Sequence, residues 1–414
     1  MDLIELPKSQ LQLGMTLKFT IRDENGEALL VKGQRIMTFK QLDIIRSRKK
    51  IYVEIEESHA GITALNTGIS TLNRLGAPIK DFSKHLRVDI PGLESEQLKA
   101  VVAEEKLTGS LPDRWGTMES KLGGLLASVN TTENFESRIR ALDQHIQNLL
   151  LEDATGAQLI LFNRAVSDFS NYSVMHSLLC AALVHMLAPV FKLSEEERSS
   201  VVCAALTMNI AMTRLQNALA AQDYVPSVMQ RKEIANHSAE GMQILANAMV
   251  TDTMWLDVVA QHHAHLSGPV ALANWSPVDR NTKILQVVDR YTAAMSPRKS
   301  RVSRTARDSA LSAVVKAGAA NHDEVGSAMV QLLGIYPPGT YVQLANGETA
   351  VVLSRGIKPV EPFVASVFNR DKQPIVLPRR SSTASKETAV KSSLIASDVK
   401  INVKIGHLLR LIPG

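Results

Sequence analysis

The chain has 414 residues, of which 45% are apolar, 4% aromatic and 21% charged, with a formal net charge of +5. That length calls for more than one domain, with a core built from aliphatic rather than aromatic side chains. The charge is too small for this length to imply nucleic acid, and two cysteines, Cys180 and Cys203, exclude a disulfide framework. No stretch reaches about 18 uninterrupted apolar residues, so no membrane span is expected. The first residues, MDLIELPKSQ, lack the basic and apolar regions of a secretory signal. A soluble cytoplasmic protein with reduced, buried thiols is the expectation.

In chain order, residues 1–57 read as a small α/β module. Two strand-like runs flank Asn25-Gly26, the dipeptide of a tight hairpin, within MTLKFTIRDENGEALLVKG. TFKQLDIIRSRK then has the spacing of an amphipathic helix, and KIYVEIE closes the module as a strand. Residues 58–150 are read as a helical connector. At its end Phe135, Ile139, Leu142, Ile146 and Leu149 alternate steps of four and three, which is one packed face of a helix.

Residues 151–335 are strongly helical. YSVMHSLLCAALVHMLAPVF is one buried helix. SEEERSSVVCAALTMNIAMTRLQNALAAQ is another, opened by a capping box from Ser194 to Glu197. RKEIANHSAEGMQILANAM, TDTMWLDVVAQHH and NTKILQVVDRYTAAM follow as helices. Met208, Met212, Met229, Met242 and Met249 fall in or beside them and read as core fillers. After YPPGT the pattern turns β-like over residues 336–414. A hairpin is expected about Asn346-Gly347 and a second within PFVASVFNRDKQPIVLP. RRSSTASKETAVKSS reads as a polar, mobile loop; it is basic but has no aromatics on which bases could stack. The predicted fold class is therefore mainly α, a helical bundle with a small N-terminal α/β module and a C-terminal β-rich extension.

Five polar residues stand on the predicted helices: His176, His237, His262, His263 and Asp289. Helices can converge such side chains on a bundle core and build a metal site there. Imidazole with carboxylate suits Fe, Mn, Zn or Ni. Neighbours on a helix point about 100° apart, so His262 and His263 can share a centre only near a helix end. The chain has no phosphate-cradling Gly-rich loop, no Cys pair at zinc spacing and no Gly-x-Ser-x-Gly elbow. Asn209 stands inside an apolar run, where a buried amide needs a partner.

From Tyr172 to Gly347 the chain resembles the HD-GYP family of HD phosphohydrolases. HSLLCAALV matches the first ligand helix, and AALTMNIAM stands where the family has an Ala-Leu-Leu-His-Asp-Ile-Gly-Lys-like run. NHSAEGMQIL matches the His-Pro-x-x-Gly segment and VVAQHHAHLSG the paired histidines. ILQVVDRYTAAMSPRKSR matches the helix with the last aspartate and its following arginines. GIYPPGTYVQLANGETAVV resembles the family's C-terminal tail, and LQLGMTLKFTIRDENGEALLVKGQRI the small domain that often precedes such modules.

The resemblance implies an HD-type all-α bundle, a metal centre that activates water, and cyclic di-GMP as the phosphodiester attacked. It puts His176, His237, His262, His263 and Asp289 on metal-ligand positions. It puts Arg298 and Arg301 where basic residues hold the ligand's phosphates. The departures are sharp. Met208-Asn209 replaces the His-Asp pair, Met212 the nearby lysine and Tyr172 an acidic ligand, and HLSGPVALANWSP replaces the Gly-Tyr-Pro loop. A neutral amide cannot supply a bridging negative charge.

Three readings follow. The first is a degenerate HD-GYP-like signalling domain that binds a cyclic dinucleotide or a protein partner without efficient hydrolysis. The second is a metal-dependent phosphodiesterase with one divalent ion on His237, His262 and His263. The third is a structural or interaction protein with neither metal nor nucleotide. A homodimer is compatible with all three.

Overall fold

A computed structural model describes residues 3–5, 20–26, 28–31, 45, 48, 50–54, 107–168, 170–266, 271–299, 303–314, 323–399, 401 and 403–412. The chain divides into two compact units, residues 1–91 and 92–414.

The first unit contains a four-stranded antiparallel sheet in the order β1-β4-β2-β3. The strands are β1 (Leu3–Glu5), β2 (Ile21–Arg22), β3 (Ala28–Leu30) and β4 (Tyr52–Glu54). The Asn25-Gly26 hairpin forms as predicted, with Ile21 opposite Leu30 and the Gly26 N–H donating to Asp23 O at 3.1 Å. Ile21, Ile51 and Val53 are buried. The helix expected over TFKQLDIIRSRK lies outside the described residues except at Ile45 and Arg48.

The second unit is mainly helical. Helix α1 (Leu111–Ala127) precedes α2 (Phe135–Ser167), which buries all five residues of the predicted apolar face. Asp153 leaves helical backbone inside α2, and its carboxylate accepts the Gly156 N–H at 2.7 Å, so the helix kinks there. Helix α3 (Tyr172–Leu187) is buried on almost every side, as its unbroken apolar sequence requires. Helix α4 (Glu195–Thr207) begins with the Ser194–Glu197 capping box.

The sequence predicts that α4 continues to about residue 222, and here the structure differs. The helix stops at Thr207. A 3-10 turn at Ile210–Met212 and a separate helix α5 (Thr213–Ala221) follow. Asn209 sits between them with φ −103° and ψ 16°. Its carbonyl accepts the Met212 N–H at 2.9 Å, which tightens the chain into the 3-10 turn. Thr207 anchors the break, donating back to Cys203 O at 2.7 Å and accepting the Trp255 indole N–H at 2.8 Å.

The remaining helices are α6 (Val228–Asn247), α7 (Thr253–Gln261), α8 (Pro277–Met295), α9 (Ala306–Val314) and α10 (Glu324–Leu333). Not all the methionines are core fillers: Met208 is fully buried, whereas Met229 and Met249 are exposed. Their helix-end positions put both outside the packed faces. Cys180 and Cys203 are free and buried.

A five-stranded antiparallel sheet in the order β8-β7-β6-β5-β9 follows the helices. The Asn346-Gly347 hairpin joins β5 (Tyr341–Leu344) to β6 (Thr349–Ser354), with Gly347 at φ +89°. Strand β7 (Phe363–Phe368) makes only a short return, a bridge from Phe368 to Pro374, rather than the full hairpin expected. The segment read as a mobile loop is a correction: it supplies both edges of the sheet. Arg380–Ser382 is β8, paired to β7, and Val390–Leu394 is β9, paired to β5. An edge strand is held by backbone hydrogen bonds on one side, so its polar side chains gave no strand signal.

Short helices α11 (Ala396–Val399) and α12 (Ile405–Leu409) close the chain. Val399 and Leu408 join Leu159 of α2 and Val351, Leu353, Ala365 and Val367 of the sheet in one apolar cluster. Gly339 makes this docking possible. Its φ is +86°, and a Cβ there would lie 2.6 Å from Asn163 N and Leu159 O of α2. Among the described residues no helix is long and apolar enough to cross a membrane.

Candidate metal and ligand site

His237 lies in the middle of α6, His262 and His263 directly follow α7, and Asp289 lies on α8, three residues before Thr292. Because α7 ends at Gln261, the adjacent histidines leave the helix where both rings can turn to one centre. Gln286 of α8 fixes that end, donating to Ala264 O at 2.9 Å.

The three histidines cluster, each offering a ligand atom within 4.8 Å of the others. His237 and His262 are buried and His263 is exposed. His237 Nδ1 is 2.6 Å from Ile234 O and His262 Nδ1 is 2.7 Å from Val259 O. A carbonyl only accepts, so each Nδ1 carries the proton and each Nε2 is left with a lone pair. The two Nε2 atoms face each other at 3.0 Å. Burial, reinforced by His263, pushes the His262 pKa down to about 3. Burial lowers that of His237 too, with His263 again adding to the effect. Both rings are therefore neutral near pH 7 and have no proton to share. A cation fits this donor set: opposed lone pairs on rings oriented by backbone acceptors are the usual arrangement of metal-ligating imidazoles.

His176 and Asp289 form a second group. His176 Nε2 lies 2.8 Å from Asp289 Oδ1, and its Nδ1 lies 3.3 Å from Thr292 Oγ1. The Thr292 hydroxyl also lies 2.9 Å and 3.0 Å from the backbone carbonyls of Asp289 and Val288, either of which can take its one hydrogen. Burial disfavours the His176 cation, but nearby Cys180 and Asp289 outweigh it and hold the pKa well above the ordinary imidazole value. Burial likewise works against the Asp289 carboxylate, yet the His176 bond holds its pKa down at about 2. In this arrangement the ionised Asp289 carboxylate accepts from His176 Nε2, so that nitrogen carries its proton. The five residues are thus brought together as three histidines beside an ion pair, with Asp289 acting electrostatically on His262 and His263.

Tyr172 stacks on His176, with ring centroids 5.8 Å apart and planes at 8°. Arg298 lies 5.0 Å from the Tyr172 centroid and donates to its hydroxyl at 2.7 Å. The guanidinium expected to hold phosphate is therefore engaged in part by a tyrosine, while its Nε has no hydrogen-bond partner among the described residues. Arg301 lies outside the described residues, as do residues 267–270 of the segment that stands in place of the Gly-Tyr-Pro loop. Met208 is buried in the main core. The Asn209 side chain makes no hydrogen bond among the described residues, so the partner its amide called for is not found. Sequence reasoning missed Thr292 and Gln286. Their signal was position, each three residues from Asp289 on α8.

A cyclic di-GMP phosphodiesterase of Pseudomonas aeruginosa, PA4108, is 26% identical to this chain over 224 residues, covering 53% of each protein. Over that stretch the chain is similar to this phosphodiesterase. It spans about half the length of that curated relative, 53%. A solved HD-GYP-type protein of Bdellovibrio bacteriovorus, Bd1817, aligns over 79% of this chain and 97% of its own at 12% identity and a TM-score of 0.38. No family model matches the chain. In the helical unit the histidine cluster keeps ligand chemistry, while Met208 and Asn209 do not.

Proposed function

We propose that the HD-GYP-like bundle is a degenerate member that holds one divalent cation on His237, His262 and His263 and binds a cyclic dinucleotide without efficient hydrolysis. The observation that carries this reading is the pair of Nε2 lone pairs on buried His237 and His262 facing each other at 3.0 Å, with exposed His263 beside them. A cation there would supply positive charge toward an anionic ligand. The cyclic dinucleotide comes from the Pseudomonas relative named for cyclic di-GMP. Loss of efficient hydrolysis rests on two features: Met208-Asn209 in place of a metal-binding pair, and His176 Nε2 engaged by Asp289. In this reading residues 151–335 carry the site, residues 336–414 form an extension to them and residues 1–57 are a separate module; of 58–150, the helical part from Leu111 packs into the same core as the site's helices. The setting is cytoplasmic signalling.

Metal analysis of the purified chain tests the reading first. About one Fe, Mn, Zn or Ni per chain is expected, lost in His262→Ala. Calorimetric titration with cyclic di-GMP then measures binding, and chromatography of the same nucleotide measures turnover. Rapid turnover abolished by His263→Ala would make the protein a phosphodiesterase instead. Neither metal nor nucleotide binding would leave a structural role.

A further inference from the structure

A cavity of about 500 Å³ lies between α8 and α9, with Asp289 at one edge. Its walls carry Arg290, Arg304, Ser309 and Ser312. Neither arginine forms an ion pair among the described residues. Arg290 is exposed, and Arg304 is held only by the Ser312 hydroxyl at 3.0 Å and by its own backbone N–H on Ala294 O at 2.9 Å. Ser309 is 1% exposed, and its hydroxyl has no hydrogen-bond partner. A serine in a helix ordinarily donates to a carbonyl one turn back or to water. A buried hydroxyl that does neither is a donor waiting for an acceptor.

We infer that Arg290, Arg304 and Ser309 form an anion subsite of this bundle, taking a phosphoryl group of the bound phosphodiester. The inference rests on the reading that the site binds a cyclic dinucleotide. Two uncompensated guanidiniums and a hydroxyl donor in one cavity match the acceptor oxygens of a phosphate. The Asp289 carboxylate is engaged by His176 at 2.8 Å, and Arg290, the next residue along α8, points about 100° away from it around the helix. Arg298 does not line this cavity, and one of its N–H groups is tied to the Tyr172 hydroxyl at 2.7 Å. The cavity volume falls in the range of about 300–1,000 Å³ that small-molecule sites occupy.

Cyclic di-GMP and inorganic pyrophosphate are each titrated by calorimetry into the full chain and into Arg290→Ala, Arg304→Ala, Arg290→Ala/Arg304→Ala and Arg298→Ala. Each single cavity variant is expected to weaken both probes by about tenfold, and the double variant by about a hundredfold. Arg298→Ala is expected to change binding less than threefold. Both cavity arginines are exposed, so melting curves should not move; the glutamine variants replace any alanine variant that melts lower. Equal binding of both probes by the double variant and the unmodified chain overturns the subsite while leaving the nucleotide reading in place. Absence of binding of either probe to the unmodified chain overturns both. Pyrophosphate binding that the double variant loses, with no cyclic di-GMP binding, supports the subsite and removes the nucleotide reading.

Discussion

His262→Ala removes one of two buried Nε2 atoms that face each other at 3.0 Å, and its effect should depend on whether a cation is supplied. In EDTA the unmodified protein keeps two acceptors unsatisfied, each costing about 1–3 kcal/mol. Truncation deletes one of these acceptors but also deletes packing of a residue that is 1% exposed. The two changes oppose each other, so the variant should lie within about 1 kcal/mol of the unmodified protein. With MnCl2 or ZnCl2 at a hundred times Kd, the unmodified protein should gain about 2.7 kcal/mol. The variant retains His237 and His263 only and should gain less than about 1 kcal/mol. Urea unfolding followed by far-UV circular dichroism, with and without metal, reads both quantities. The reasoning is refuted if the midpoint of the unmodified protein ignores metal, or if the variant gains as much.

Three further outcomes are expected away from the site. Asp143 is buried and accepts from His185 at 2.7 Å, Arg198 at 2.8 Å and Ser199 at 2.8 Å. Asp143→Ala should cost about 3 kcal/mol in urea unfolding by leaving buried Arg198 with Glu195 as its one carboxylate among the described residues. Burial alone would raise the Asp143 pKa, but the His185 hydrogen bond and the Arg198 charge lower it. Its contribution is therefore present above the unfolded value of about 3.9 and is lost as pH falls through the lower folded value. Comparing midpoints at neutral and strongly acid pH checks this, and Asn at the position should flatten the difference. Thr207→Val leaves the Trp255 indole N–H at 2.8 Å without its acceptor and should cost about 1–3 kcal/mol, with a shift in tryptophan emission. Gly339→Ala puts a Cβ 2.6 Å from α2 backbone at a φ of +86°, and should cost more than about 2 kcal/mol in a thermal melt. An unchanged melt would mean the sheet docks loosely.

Local signals carried much of the fold. The Ser194–Glu197 box and the two Asn-Gly turns act over two to three residues, and each appears where expected. The seam from Phe135 to Leu149 needed only periodicity. The candidate site was legible as types in order, because histidines on successive helices can meet only in the bundle interior. What was not legible depends on partners far along the chain. The break after Thr207 is anchored by Trp255, 48 residues on. The tie between Arg298 and Tyr172 spans 126 residues, so no local pattern could show that this guanidinium is already taken. The edge strands β8 and β9 read as loop because hydrogen bonds from β7 and β5, not side-chain alternation, define them.

Those edges have a consequence for how this protein can assemble. The outermost strands are Arg380-Ser381-Ser382 on one side and Val390-Lys391-Ser392-Ser393-Leu394 on the other. Short, charged, hydroxyl-rich borders are poor templates for an incoming strand. The sheet is a terminus rather than a platform: it does not invite fibrils or strand exchange between neighbours.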